Sequence, residues 1–192
     1  MQSNIKLNPL KDDLPYQTQC VKNFCEANNI AFKLSRNNPA YGCKDAASKR
    51  FNGRGRGIPL CRELKTLLCT SKSHKGSLLF AVHMSASRSA CFKNIRQALE
   101  IKKSCDVILA GETELHALGM RLGTVNPFSL AIKINQNIIQ IFDSELLKIN
   151  QSMFTNAGEL TFGIEFNIQD LIKSINKARI FNISKESGEV FK

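Results

Sequence analysis

The stretch LCRELKTLLCTSKSHKGSLLFAVH, residues 60–83, decides the fold. Residues 60–69 read as a strand, residues 71–76 as a hairpin-like turn, and residues 77–83 as a strand that is almost wholly apolar. A short apolar run bounded by turn residues belongs at the centre of a sheet. Along the first strand, Leu64, Thr66 and Leu68 share one face, and Glu63, Lys65 and Leu67 share the other. Lys65 is the odd residue in this apolar setting. It is either an edge or solvent-face lysine, or a cation at the lip of a sheet, facing a phosphate or a carbonyl.

Outward from this pair, helical and strand patterns alternate. Residues 17–28 carry Val21, Phe24 and Cys25 at helical spacing, residues 30–34 form a short strand, and residues 43–51 a short helix stopped by Asn52 and Gly53. Residues 53–57 form a flexible basic loop. Downstream, residues 91–102 read as a helix, 106–110 as a buried strand and 112–118 as a short helix. Residues 129–133 and 138–142 read as strands around an Asn-rich turn, and 144–148 as a helical turn or two. Residues 152–156 and 160–166 make a hairpin about Ala157, Gly158 and Glu159, and 168–178 a closing helix with Leu171, Ile172 and Ile175 on one face. This predicts one mixed α/β domain over residues 17–180 with at least six strands, between tails at 1–16 and 181–192.

At 192 residues the chain fits one domain. Its composition, 43% hydrophobic and 22% charged, is that of a globular protein. It has no apolar run of the roughly 18–20 residues that a membrane span needs. The N-terminus has no secretory apolar core and carries Asp12 and Asp13, against a mitochondrial leader, so the expected location is the cytoplasm. The formal net charge is +11, and residues 33–75 hold eleven basic side chains against Asp45 and Glu63, a net of +9. Residues 107–192 net −1. Positive charge gathered in one segment points to a polyanion, most often nucleic acid.

The seven cysteines show no C-x-x-C spacing, and most lie in apolar patterns, so they read as buried structural thiols. Glu112 and His116 are four apart on one helix, but two ligands without a third make a poor metal site. No metal or cofactor is expected. Two loops stand out besides Lys65. Gly123, Thr124, Val125, Asn126 and Pro127 combine a flexible and a rigid residue, which lets the backbone approach a ligand. Asn156, Ala157 and Gly158 are small and polar at a strand end.

The order of these features adds to their weight. Asp45-Ala46-Ala47, Leu64-Lys65-Thr66-Leu67, Gly123-x-x-x-Pro127, Phe142-Asp143-Ser144-Glu145-Leu146, Asn156-Ala157-Gly158 and Asp170-Leu171 follow one another. Over residues 17–178 this resembles the YbaK/prolyl-tRNA-synthetase-associated editing-domain family. The resemblance implies a single compact α/β domain with a mixed, curved, barrel-like sheet and flanking helices. It implies a free-standing deacylase of mischarged aminoacyl-tRNA, most often tRNA(Pro) with a small non-cognate amino acid. Lys65 matches the family lysine that holds the substrate near the terminal adenosine or the ester. The loop 123–127 matches the backbone that holds the aminoacyl group, with Asn156 and Asp143 beside it in substrate binding. Water is the nucleophile, assisted by the neighbouring ribose hydroxyl. Arg54, Arg56, Arg62, Lys72 and Lys75 then face the tRNA acceptor end, contacting phosphates without reading sequence.

Two departures bear on specificity. Asn156 stands where cysteine-removing members have serine, and Ser152-Met153-Phe154 lacks the histidine of alanine-removing members. A non-catalytic aminoacyl-tRNA or RNA-binding module, or a partner subunit of prolyl-tRNA synthetase, is the alternative. A thiol hydrolase is a third option.

Overall fold

The central pair runs further than its sequence pattern. In a computed structural model of the chain, describing residues 14–50, 55–73, 76–133 and 138–187, β2 (Leu64–Ser73) and β3 (Gly76–Ser85) form one antiparallel ladder from Leu64↔Ser85 to Ser73↔Gly76. Residues 71–73 and 76, read as turn from their Ser, Lys and Gly content, belong to the ladder. Phe80 to Met84 are buried without a break, as a central strand requires.

β5 (Val107–Leu109) pairs antiparallel with β2, β6 (Ile139–Asp143) runs parallel to β3, and β9 (Arg179–Phe181) parallel to β6. The order is β5-β2-β3-β6-β9. A parallel neighbour needs a crossover. Between β3 and β6 it is built from α3 (Phe92–Ala98), β5, α4 (Glu112–Ala117) and α5 (Pro127–Ile132). A second, antiparallel sheet is ordered β1 (Phe32–Arg36), β8 (Phe162–Phe166), β7 (Met153–Asn156). β10 (Ser184–Glu186) pairs with β4 (Arg88–Ala90). The result is the expected mixed α/β domain with flanking helices. Its sheets meet at a bridge between Glu63 and Phe154 and are not closed into a barrel.

The five-stranded sheet buries both faces. Cys69, Phe80, Val82, Met84 and Ile141 pack with Ile95 of α3, while Leu68 and Ala81 pack with Leu115, Leu118 and Leu130. The largest core lies where α1 (Tyr16–Ala27), α5 and α6 (Ile168–Ser174) meet the three-stranded sheet. There Phe128 sets its ring edge-on to Phe166 at 5.0 Å. Each such side chain contributes about 1.5–3 kcal/mol on burial.

Several expectations change. Residues 129–133, read as a strand, lie mostly in α5. Asn126 caps that helix through Oδ1, which accepts from Ser129 N at 2.8 Å, and Pro127 starts it. Residues 106–110 are not a buried strand: β5 is an edge, with Ile108 and Leu109 exposed. The chain stays in the fold past residue 180, for Ile183 is fully buried and β10 follows it. Only Cys25 and Cys69 of the seven thiols are buried, and Cys61 is exposed.

Candidate active site

β5 covers β2 only at residues 69–71, and no other described strand forms a ladder along the β2 edge over residues 64–68. The edge is pinned at both ends. Ala110 N donates to Leu68 O at 2.9 Å, and Thr155 Oγ1 donates to Leu64 O at 3.4 Å. Main-chain groups of a strand alternate sides, so the N–H and C=O of Thr66 face the same open edge. A cavity of about 240 Å³ occupies this gap. Residues 63–68 line it in unbroken succession, as an edge allows and a sheet face does not. Gly42, Cys43, Arg50, Gly123, Val125 and Asn156 line its other sides.

Lys65 is half-buried in this wall. Its Nζ donates to Arg88 O at 2.5 Å, and burial lowers its pKa. The anchor fixes the ammonium and leaves further N–H groups to donate.

The loop over residues 123–127 is rigid for identifiable reasons. Gly123 has φ +84°, and a Cβ there would lie 2.9 Å from Leu160 Cδ2. Thr124 is buried, with Oγ1 donating to Arg121 O and accepting from Arg121 N. Asn126 is fully buried and donates from Nδ2 to Asn156 Oδ1 at 3.0 Å. Asn156 Nδ2 donates in turn to Val125 O at 3.1 Å. The 123–127 and 156–158 segments are thus one hydrogen-bonded unit. Lys65, Gly123, Val125 and Asn156 come together on the cavity. Thr124, Asn126 and Pro127 do not line it, but support the loop that does.

Asp143 lies elsewhere. It is fully buried at the end of β6, where its carboxylate accepts from Ser184 Oγ and from Ile183 N at 3.3 Å, with Arg88 Nε at 3.6 Å. It ties β10 to the sheet and is not among the residues lining the cavity. Among the basic candidates, Arg56 is exposed. Arg62 is engaged within the fold: Nε donates to Ser152 O at 2.8 Å, and the guanidinium lies 5.0 Å over the Phe154 ring. Arg54, Lys75 and the Lys72 side chain lie outside the described residues.

Sequence reasoning missed the buried pair Arg50–Glu63. Nε donates to Oε2 at 3.0 Å and Nη2 to Oε1 at 2.7 Å, and both side chains line the cavity. Burial pushes the Glu63 carboxyl up, and Arg50 opposes this. Gly163 makes room for Arg50, since a Cβ there would lie 2.5 Å from Nη1. No local pattern announces the pair, because its partners come from the end of a helix and the start of a strand. Cys43 also lines the cavity, but burial raises its thiol pKa, away from the thiolate a nucleophile needs. Among the described residues no three His, Cys, Asp or Glu side chains gather as a metal site, and no helix is long and apolar enough to cross a membrane.

Residues 38–174 match the family described as the aminoacyl-tRNA editing domain. No curated protein matches the chain. Among solved structures, the hypothetical protein APE2540 is similar with a TM-score of 0.69 and 21% identity, over 86% of this chain and 99% of that one. A candidate trans-editing enzyme for prolyl tRNA synthetase is similar with a TM-score of 0.68 and 16% identity, over 90% of this chain and 99% of that one. A candidate signal transduction protein from Marinobacter aquaeolei VT8 gives a TM-score of 0.59 at 12% identity, over 93% of this chain but 32% of that one. At these identities the likeness is one of fold.

Proposed function

The chain belongs to the aminoacyl-tRNA editing domain family, and from that premise we propose that it hydrolyses the ester of mischarged aminoacyl-tRNA. The observation that carries this reading is the meeting of Lys65, the 123–125 backbone and Asn156 on one small cavity. An aminoacyl ester is already activated, so positioning and charge stabilisation can supply most of the rate. That suits a cavity without an acid–base histidine in its lining. Lys65, held by the Arg88 carbonyl, donates to the terminal phosphate or the ester carbonyl oxygen. The 123–125 backbone and the open Thr66 main-chain groups receive the aminoacyl group. A volume of about 240 Å³ suits a small side chain. Leu109 and Leu122, exposed at 55% and 82%, offer an apolar rim for the terminal base.

The substrate in this reading is tRNA(Pro) carrying a small non-cognate amino acid. The protein acts in trans in the cytoplasm, alongside prolyl-tRNA synthetase. The Asn156 amide is spent on Val125 O and Asn126, so it shapes the pocket rather than activating a nucleophile.

The test is deacylation of tRNA(Pro) charged with Ala, Cys or Ser. Lys65→Ala is expected to lower kcat/KM by roughly 10²–10³-fold, and an unchanged rate on all three would remove Lys65 from the reaction. Salt-sensitive tRNA binding without turnover of any ester would favour a binding module instead. Replacing Arg54 and Arg56 by Ala should weaken tRNA binding and lower its salt slope by about 1–2, with an unchanged melting temperature.

A further inference from the structure

A path of polar side chains leaves the cavity through the core: Thr66, His83 and Gln140. His83 is fully buried on β3 and stacks on Phe142, with ring centroids 4.4 Å apart. Its Nδ1 lies 3.0 Å from Thr66 Oγ1. Gln140, buried on β6, faces Pro127 O at 3.3 Å, His83 Nε2 at 3.0 Å and Ala131 N at 3.2 Å. One amide orientation satisfies all three. Gln140 Nε2 donates to Pro127 O and to His83 Nε2, while Oε1 accepts from Ala131 N.

The consequence is a direction. His83 Nε2 is an acceptor, so the one proton of a neutral imidazole sits on Nδ1 and is donated to Thr66 Oγ1. The hydroxyl hydrogen of Thr66 has no acceptor among the described residues, and Thr66 lines the cavity. With the opposite tautomer that hydrogen would be consumed between Thr66 and His83.

We propose that His83 is a positioning residue for the hydrolysis inferred above: locked by Gln140 as the Nδ1–H tautomer, it makes Thr66 a one-way donor into the cavity, aimed at an oxygen of the aminoacyl ester. The inference rests on the hydrolase reading. Burial supports it by pushing the imidazole pKa down to about 3, which keeps a single proton on the ring near neutrality. A donor of this kind stabilises a carbonyl oxygen as it gains negative charge during attack by water. It needs no reorganisation, because the bond behind it is already made.

The test combines a spectroscopic and a kinetic measurement. In 15N spectra of the intact protein, His83 should show a protonated Nδ1 and a bare Nε2, and the reverse overturns the proposal. In deacylation of mischarged tRNA, Thr66→Val and His83→Phe should each lower kcat by roughly 10–100-fold with little change in KM. The double variant should fall no further than the slower single variant. His83→Asn, whose amide can donate near the Nδ1 position, should recover part of the loss. Multiplying losses, or a parental rate for Thr66→Val, overturn the proposal. Should His83→Phe misfold, the Thr66→Val kinetics and the parental spectrum still decide. If the parent hydrolyses no ester, the hydrolase reading fails. The donor is then read from binding of the non-hydrolysable amide analogue of aminoacyl-adenosine, which Thr66→Val should weaken about tenfold. Unchanged binding overturns the donor as well.

Discussion

Among the described residues, two ion pairs that tie distant segments of this molecule together differ in setting, one enclosed and one partly exposed. Arg50 and Glu63 are almost fully enclosed, at 2% and 4% side-chain exposure, and meet through two parallel hydrogen bonds. Arg88 and Asp143 stand 3.6 Å apart, with Arg88 21% exposed, and Asp143 is satisfied mainly by Ser184 and Ile183. The first pair forms part of the cavity wall, and the second does not line the cavity but fastens the segment whose Arg88 carbonyl anchors Lys65. A carboxylate in a motif is thus the fastener, while the carboxylate at the cavity sits where no motif marks it. A charged pair at a site can fix its shape without taking part in its chemistry.

Breaking the first pair should have the largest effect. Glu63→Ala leaves Arg50 buried and uncompensated, and should cost about 3–5 kcal/mol in urea unfolding. Replacing both partners by apolar residues of similar volume should recover most of that loss. If the single variant loses less than 1 kcal/mol, the pair is not the joint described here. Asp143→Ala should cost about 2 kcal/mol and speed hydrogen exchange at Ile183, and, because Asp143 holds the residue whose carbonyl anchors Lys65, any fall in kcat should come with that loss of stability and stay smaller than that of Lys65→Ala. A drop in kcat without loss of stability would return Asp143 to the substrate.

A comparable effect, spread over pH, belongs to His83, which has no ionic partner among the described residues. Its folded pKa of about 3 lies below its ordinary value of 6.5. The unfolded chain therefore binds the extra proton first, and stability falls as pH drops from about 6.5 towards 3. The slope approaches about 1.4 kcal/mol per pH unit. Urea unfolding at pH 7 and pH 5 should show it in the parent and not in His83→Phe. Equal slopes would mean that the imidazole titrates normally.

Much of this architecture was legible in the sequence where apolar runs are long. The β2–β3 pair, β6 and the β7–β8 hairpin stand out because each is bounded by turn residues. α5 was misread because Pro127, Phe128, Ser129 and Leu130 are all buried, so the helix has no polar stripe to set its period. The Asn126-Pro127 start signal was the better guide. β4, β9 and β10 are three residues each, too short for any period, and their places are set by partners far along the chain. At the site, the grouping of Lys65, the 123–125 backbone and Asn156 is what the family resemblance implies, and no single one of these segments announces it. The Arg50–Glu63 pair and the Thr66–His83–Gln140 path could not be foreseen, because each joins segments that only the fold brings together.

The fastening of β10 also has a temporal side. β1 waits for β8, some 130 residues later, and β4 waits for β10, roughly 95 residues later. On the ribosome, the early strands emerge long before their partners exist. The clasp of Arg88, Asp143 and Ser184 is completed only once residue 184 has been made. A nascent chain halted before that point leaves Asp143 without its hydroxyl partner and the β4 edge unpaired.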